Sequence, residues 1–224
     1  MRSSSQRRHR RLAVRQQIVA LEQALQQAQH LLHQDDLTPL LNRRGFRRAC
    51  DQWAGGGVKD ASACCVMVDL DGFKAINDRH GHPVGDAALI HFAATLRRHM
   101  RPTDTIARLG GDEFALILSN CCGSDARKML ERLRDALAVT PLPASGSTVL
   151  RFSAGIAERD ANESLAQALE RADAALLDAK RQGKATVSLG VRPARSVNGA
   201  TANACGQQIA SACTPTNADT REGD

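Results

Sequence analysis

Two adjacent glycines run straight into two adjacent carboxylates at Gly110-Gly111-Asp112-Glu113, and this stretch constrains the fold more than any other. Glycine lacks Cβ, so the backbone at Gly110 and Gly111 can bend with φ above zero and lie flat against a ligand. Apolar residues flank the stretch, in Thr105 to Leu109 and in Phe114 to Leu118. The spacing therefore predicts two short strands joined by a glycine-opened hairpin with the acids at its exposed tip. Neighbouring carboxylates repel one another. Two readings of the tip stay open: a solvated turn with an incidental Asp-Glu pair, or a site where a hard divalent cation, magnesium best, collects their oxygens.

A second segment bears on that choice. Cys64-Cys65-Val66-Met67-Val68 is an apolar run of strand length that ends abruptly in Asp69-Leu70-Asp71. Ligand sites in open sheets gather where strands end, which makes Asp69 the natural partner of the hairpin acids. Gly72 to Asp86 then reads as a polar, glycine-broken loop region rich in side chains able to bind a nucleotide, among them Lys74, Asn77 and Asp86.

Around this centre the chain divides into four parts. Residues 1–11 form a basic arm with Arg2, Arg7, Arg8, Arg10 and Arg11, which accounts for part of the net charge of +6. No aromatic residue is interleaved to stack on bases, so the arm reads as solvated and disordered, with no specific nucleic-acid role. Val14, Ile18, Leu21, Leu25, Ala28 and Leu32 recur in steps of four and three, which makes 12–34 a coiled-coil helix suited to dimerisation, or an amphipathic helix packed on its own domain. Residues 35–189 hold the core. Within them Asp86 to Met100, the segment around Ala126, Met129, Leu133 and Leu137, and the segment from Leu165 to a C-cap near Gly183 carry helical periodicity. Leu150 to Ile156 alternates as a strand, and Thr186 to Leu189 closes the sheet. Residues 190–224 shift to Ala, Thr, Asn, Ser and Gly and read as a disordered tail.

Seven cysteines without regular spacing do not suggest a disulfide framework, and Cys64, Cys65, Cys121 and Cys122 read as buried thiols of a reducing compartment. No apolar run approaches the ~20 residues a membrane span needs, so a soluble cytoplasmic protein is expected.

Four segments together resemble the GGDEF diguanylate cyclase family: Asp36-Leu37-Thr38-Pro39-Leu40-Leu41-Asn42-Arg43-Arg44-Gly45-Phe46, Asp69 to Asp86, the hairpin itself, and Ala179-Lys180-Arg181-Gln182-Gly183-Lys184. Their order and spacing match over 35–189. The resemblance implies an α/β fold with a mixed, partly antiparallel central sheet flanked by helices, akin to the palm of polymerases and nucleotide cyclases. It implies condensation of two GTP into cyclic di-GMP and two pyrophosphates, with magnesium, or manganese as the alternative. The ion's ligands would be Asp69, the Leu70 carbonyl, Asp112 and Glu113, with Asp112 accepting the 3′-hydroxyl proton. Lys74, Lys180 and Lys184 would hold phosphates, Asn77 and Asp86 would read guanine, and Gly110 and Gly111 would lie against the nucleotide. Each domain holds one GTP, so catalysis needs a two-fold homodimer. Arg101 and Asp104, five residues before the glycines, resemble the family's product-inhibition quartet, where cyclic di-GMP would bind, with Arg132 as a second arginine.

The residues taken alone admit plainer roles. The lysines read as ordinary surface side chains, Asn77 as a turn cap and Asp86 as a helix N-cap. The chain also departs from the family pattern. Leu177 stands where a tyrosine is usual, keeping its packing role, and Lys184-Ala185 replaces an arginine-asparagine pair, losing the forked contact. Two rival functions remain: a silent domain that binds GTP or cyclic di-GMP and signals by dimerising, and a nucleic-acid binder acting through the basic arm.

Overall fold

The computed structural model describes residues 15–22, 32–55, 62–142, 148–160, 162–183 and 185–190. Its centre is the cysteine-valine run, which forms strand β1 (Ala63–Leu70) and is buried over most of its length. Antiparallel partners flank it on both sides, β3 (Glu113–Ser119) and β4 (Phe152–Glu158). Strand β2 (Thr105–Gly110) pairs antiparallel with β3, and the short β5 (Val187–Leu189) pairs parallel with β4. The resulting sheet has five strands in the order β2-β3-β1-β4-β5. It is mixed and partly antiparallel, as the family resemblance implies.

Helices α1 (Arg43–Gly55), α2 (Phe73–His80), α3 (His82–Arg98), α4 (Gly123–Val139) and α5 (Leu165–Arg181) complete the domain. Side chains alternate across a strand, and β1 shows the consequence. Cys64, Val66, Val68 and Leu70 point to one face, where they meet Phe92 and Leu96 of α3 and Leu130 and Leu133 of α4. Ala63 and Cys65 point to the other, against Phe46 of α1 and Leu165, Ala168 and Ala172 of α5. Phe92 lies with ring centroids 4.7 Å from Phe114 and 5.7 Å from Phe152. Those two phenylalanines begin β3 and β4, so one α3 side chain steadies both strands at the end where the acids cluster.

The edge of β2 is covered by the opening motif. Leu41 N–H donates to the Ile106 carbonyl at 3.2 Å, and Arg108 N–H donates to the Leu41 carbonyl at 2.8 Å. On the far side α5 lies directly on β4 at Gly155, where an added Cβ would fall 2.0 Å from the Ala172 carbonyl oxygen. Only glycine allows that approach, and it fixes the height of α5 over the sheet.

Several expectations need correction. The region from Gly72 to Asp86 is helical rather than a loop. α2 occupies Phe73–His80, and α3 starts at His82 with Pro83 in its first turn, four residues before the predicted start. Asp86 therefore lies inside α3, whose N-cap is Gly81, and cannot cap it. Leu177 does not pack as expected. It is 50% exposed, because Leu176 takes the buried slot on α5. Cys64 and Cys65 are fully buried, but Cys121 and Cys122 are only half-buried. Burial pushes the Cys65 thiol up to about 12 and the half-buried Cys50 thiol up to about 11, so neither is a nucleophile. In the 12–34 segment, residues 15–22 are helical with Ile18, Val19 and Leu21 at least half exposed. Val14, Leu25, Ala28, the basic arm, Lys184 and the tail from residue 191 lie outside the described residues. Among the described residues no helix is long and apolar enough to cross a membrane.

Candidate active site

The hairpin closes through Gly111 and Asp112, with Gly110 paired to Glu113 and a register shift between Arg108 and Gly110. Gly110 has φ 145° and Gly111 φ 54°, both left-handed conformations that a side chain resists. The glycine pair is thus required by the turn, whatever it does for a ligand. Asp69, near the end of β1, faces Glu113 directly across the β1–β3 ladder. Leu70 N–H donates to the Asp112 carbonyl at 3.2 Å, which extends the pairing past the strand. Acids far apart in sequence are brought to one end of the sheet by this register.

Their side chains form a tense cluster. Burial, and then the negative charge of Asp69, push the Asp112 carboxyl above its usual range. Lys180, near the end of α5, answers that charge: its Nζ is 2.7 Å from Asp69 Oδ2, and the Asp69 side chain is 14% exposed. Glu113 turns outward, 3.8 Å from an Arg43 guanidinium, with both side chains more than half exposed. Such an exposed pair contributes little stability. Among the described residues no three carboxylates, imidazoles or thiols converge on one point. Asp69, Asp112 and the Leu70 carbonyl nonetheless supply hard oxygen donors at a place where a cationic ammonium already rests. That chemistry fits a magnesium-type ion.

Three residues of the site had no assigned role in the sequence. Arg108 donates its Nε to the Gly111 carbonyl at 2.9 Å and its Nη1 to both oxygens of Asp35 at 3.1 and 3.2 Å. Asp35 also accepts from Thr38 N–H at 2.9 Å and Thr38 Oγ at 2.7 Å. Burial opposes ionisation of Asp35, but these bonds outweigh it and hold the carboxyl below its ordinary value. Arg43 donates its Nε to the Leu109 carbonyl at 3.0 Å. Two arginines therefore brace the hairpin from behind. A charged residue inside the apolar Thr105 to Leu109 strand, and an Asp three before a Thr, are the signals that could have found this brace.

The residues expected to read a nucleotide are carried by α2 and α3. Asn77 Oδ1 is buried with no hydrogen-bond partner among the described residues, and an added Cβ on Gly85 would fall within bonding distance of it. That amide is not a turn cap. It is packed against α3 where no side chain could stand, with an unmet acceptor. Asp86 and Lys74 are exposed. Farther along the sheet, Asp104 accepts from Arg101 N–H at 2.9 Å and Ser119 N–H at 3.3 Å, which leaves the Arg101 side chain exposed. Arg132 is exposed on α4.

This arrangement belongs to a recognised class: a palm-like sheet carrying paired acids at a glycine hairpin and a lysine opposite. A family model described as "Diguanylate cyclase, GGDEF domain" matches residues 32–186. The chain belongs to that family. It is 40% identical over 152 residues to the diguanylate cyclase DgcP of Pseudomonas aeruginosa, covering 67% of this chain and 23% of that one. It is 34% identical over 160 residues to the diguanylate cyclase DgcM of Escherichia coli, covering 71% of this chain and 38% of that one. Among solved structures it is similar to the coiled coil and GGDEF domain of DgcB from Caulobacter crescentus in complex with c-di-GMP. That similarity has a TM-score of 0.70 and 33% identity and covers 80% of this chain and 97% of the other. The chain spans less than two fifths of the length of DgcP or DgcM.

Proposed function

We propose that the chain is a diguanylate cyclase, joining two GTP into cyclic di-GMP with release of two pyrophosphates. The observation that carries this reading is Asp112, held beside Asp69 at the end of β1 with the Lys180 ammonium against the pair. Asp69, Asp112 and the Leu70 carbonyl would hold a divalent ion, magnesium or manganese, with Glu113 joining them on leaving Arg43, and that ion would neutralise charge developing on the phosphate oxygens. The protein's own groups do the rest. Asp112 accepts the proton of the 3′-hydroxyl as its oxygen bonds to the α-phosphorus of the other nucleotide and the bond to the β-phosphate oxygen breaks. Lys180 transfers from Asp69 to the leaving phosphates, and Lys184 and Lys74 are assigned to the same phosphates. Asn77 and Asp86 meet the guanine edge, whose N–H donors adenine lacks.

Each domain holds one GTP, so two copies face one another across a two-fold axis. The exposed Ile18, Val19 and Leu21 on the 15–22 helix suit a coiled coil that brings them together. Incubating the protein with GTP and magnesium should release pyrophosphate and form cyclic di-GMP. Binding without turnover would instead establish the silent-domain alternative.

Arg101, Asp104 and Arg132 serve in this reading as the product-inhibition site, because the free Arg101 guanidinium can stack on a guanine and grip phosphate. Arg101→Ala is expected to raise the cyclic di-GMP concentration for half-inhibition about tenfold or more, as loss of one charged contact implies. Inhibition curves that superimpose on those of the parent would reject the assignment.

A further inference from the structure

Asp71 lies two residues beyond Asp69, and its carboxylate is fully engaged within the protein. Oδ1 accepts from the Ser153 hydroxyl at 2.9 Å, and Oδ2 accepts from the same hydroxyl at 3.1 Å and from the Ala185 N–H at 2.8 Å. Its own N–H donates to the Arg151 carbonyl at 2.9 Å. Ser153 is completely buried at the start of β4, so its hydroxyl depends on this acceptor. Three segments meet at one side chain: the acidic end of β1, the start of β4, and the turn that follows α5.

The turn needs such an anchor. Ala185 has φ 51°, a left-handed conformation that costs a residue with a Cβ roughly 1 kcal/mol or more and persists only when neighbours impose it. Gly183, two residues before, has φ 117° and follows Gln182, the C-cap of the helix that carries Lys180. Beyond the turn the chain is tied again, since Ala154 N–H donates to the Thr186 carbonyl at 3.0 Å. The end of α5, already seated on β4 at Gly155, is therefore also tied to the acid end of β1 through Asp71, a carboxylate two residues from the proposed metal ligand Asp69. With its oxygens taken by Ser153 and Ala185, Asp71 has a different task.

We infer that Asp71 is a positioning residue for triphosphate binding: it locks the turn after α5 against the acid end of β1 and so sets where the phosphate-gripping side chains stand. The inference rests on the GTP-binding reading above. It requires that Asp71 matter for phosphates and not for the base.

Two probes separate these: a non-hydrolysable GTP analogue with a methylene between the α- and β-phosphates, and GMP, each titrated calorimetrically with magnesium. Asp71→Asn keeps an acceptor for Ser153 but can present an amide to Ala185 N–H. Asp71→Glu keeps the charge and moves it by one methylene, and it stands in should the asparagine variant fold poorly. Either variant is expected to weaken the analogue about tenfold, the loss of one charge-assisted hydrogen bond, while GMP affinity stays within about twofold. In turnover KM for GTP should rise more than kcat falls. Equal weakening of both probes would show a general structural defect, and no weakening of either would show an idle residue; both overturn the inference while leaving the GTP reading intact. A parent protein that binds neither probe sinks the GTP reading, and this inference with it.

Discussion

Asp112→Asn is expected to lower the rate of cyclic di-GMP formation at saturating GTP by roughly 10²–10⁴-fold, the range that removal of a positioned proton acceptor gives. The same change should leave the ligand-free protein at least as stable as its parent. Burial and the Asp69 charge raise the Asp112 carboxyl in the folded chain above its value in the unfolded one. Ionised Asp112 is thus disfavoured by folding: the folded state is better off below the unfolded value and loses stability as pH rises through the folded one. An amide removes that loss at neutral pH. Pyrophosphate release and thermal unfolding of the two proteins check both halves. A variant that keeps a tenth of the parent rate would remove Asp112 from the reaction, and one that melts well below the parent would show that the carboxylate holds the hairpin together.

The opposed outcomes for rate and stability follow from how the site is braced. Asp69 has a partner in Lys180, and Glu113 has a distant one in Arg43, but Asp112 gains only weaker relief from Lys180 and Arg108. The hairpin stays in place without help from its own acids. Arg108 holds the Gly111 carbonyl, Asp35 holds Arg108, and Arg43 holds the Leu109 carbonyl. Two adjacent glycines lose more backbone freedom on folding than other residues, and the arginines hold the turn they form from outside the acid cluster. Repulsion can then be stored at the tip without unfolding it.

What the sequence made legible was local. Apolar runs bounded by glycine or acid located β1, β2 and β3, and periodicity located α3, α4 and α5. The hairpin acids and Asp69 were placed together because ligand sites gather where the strands of an open sheet end. Contacts between distant segments carried no such signal. Arg108 meets Asp35 across 73 residues, Ser153 meets Asp71 across 82, and Ala185 meets Asp71 across 114, and nothing in the intervening sequence announces them. Helix α2 escaped for a different reason. It has eight residues, none of them buried, and Gly72 and Gly81 bracket it. An apolar stripe is what reveals a helix in sequence, and a two-turn helix that buries nothing fully has none to show. Leu177 was misplaced by the family pattern, in which it replaces a tyrosine and was given a packing role; the helical period itself runs through Leu176, the one of the two that reaches the core.

Gly155→Val is expected to be the most destabilising single substitution in the domain, because its cost falls on backbone. The added Cβ would stand 2.0 Å from the Ala172 carbonyl oxygen, 2.2 Å from the Leu176 nitrogen and 2.8 Å from the Ala175 carbonyl carbon. No rotamer change relieves a clash with a helix main chain, so α5 must rise off β4 by more than an ångström or β4 must buckle. Overpacking of this kind costs about 1–3 kcal/mol and more where backbone must move, which lowers the melting temperature by roughly 2–4 °C for each kcal/mol in a domain of this size. With three main-chain atoms in the way the cost is expected at the upper end, about 3 kcal/mol, and the drop at roughly 6–12 °C. The displacement also carries Lys180 away from Asp69, which it meets at 2.7 Å, so whatever fraction folds should bind a GTP analogue several-fold more weakly. Thermal unfolding and calorimetric titration measure the two effects. Melting within a degree or two of the parent would mean that α5 does not rest on Gly155, and the account of how the sheet sets the height of Lys180 would fall with it.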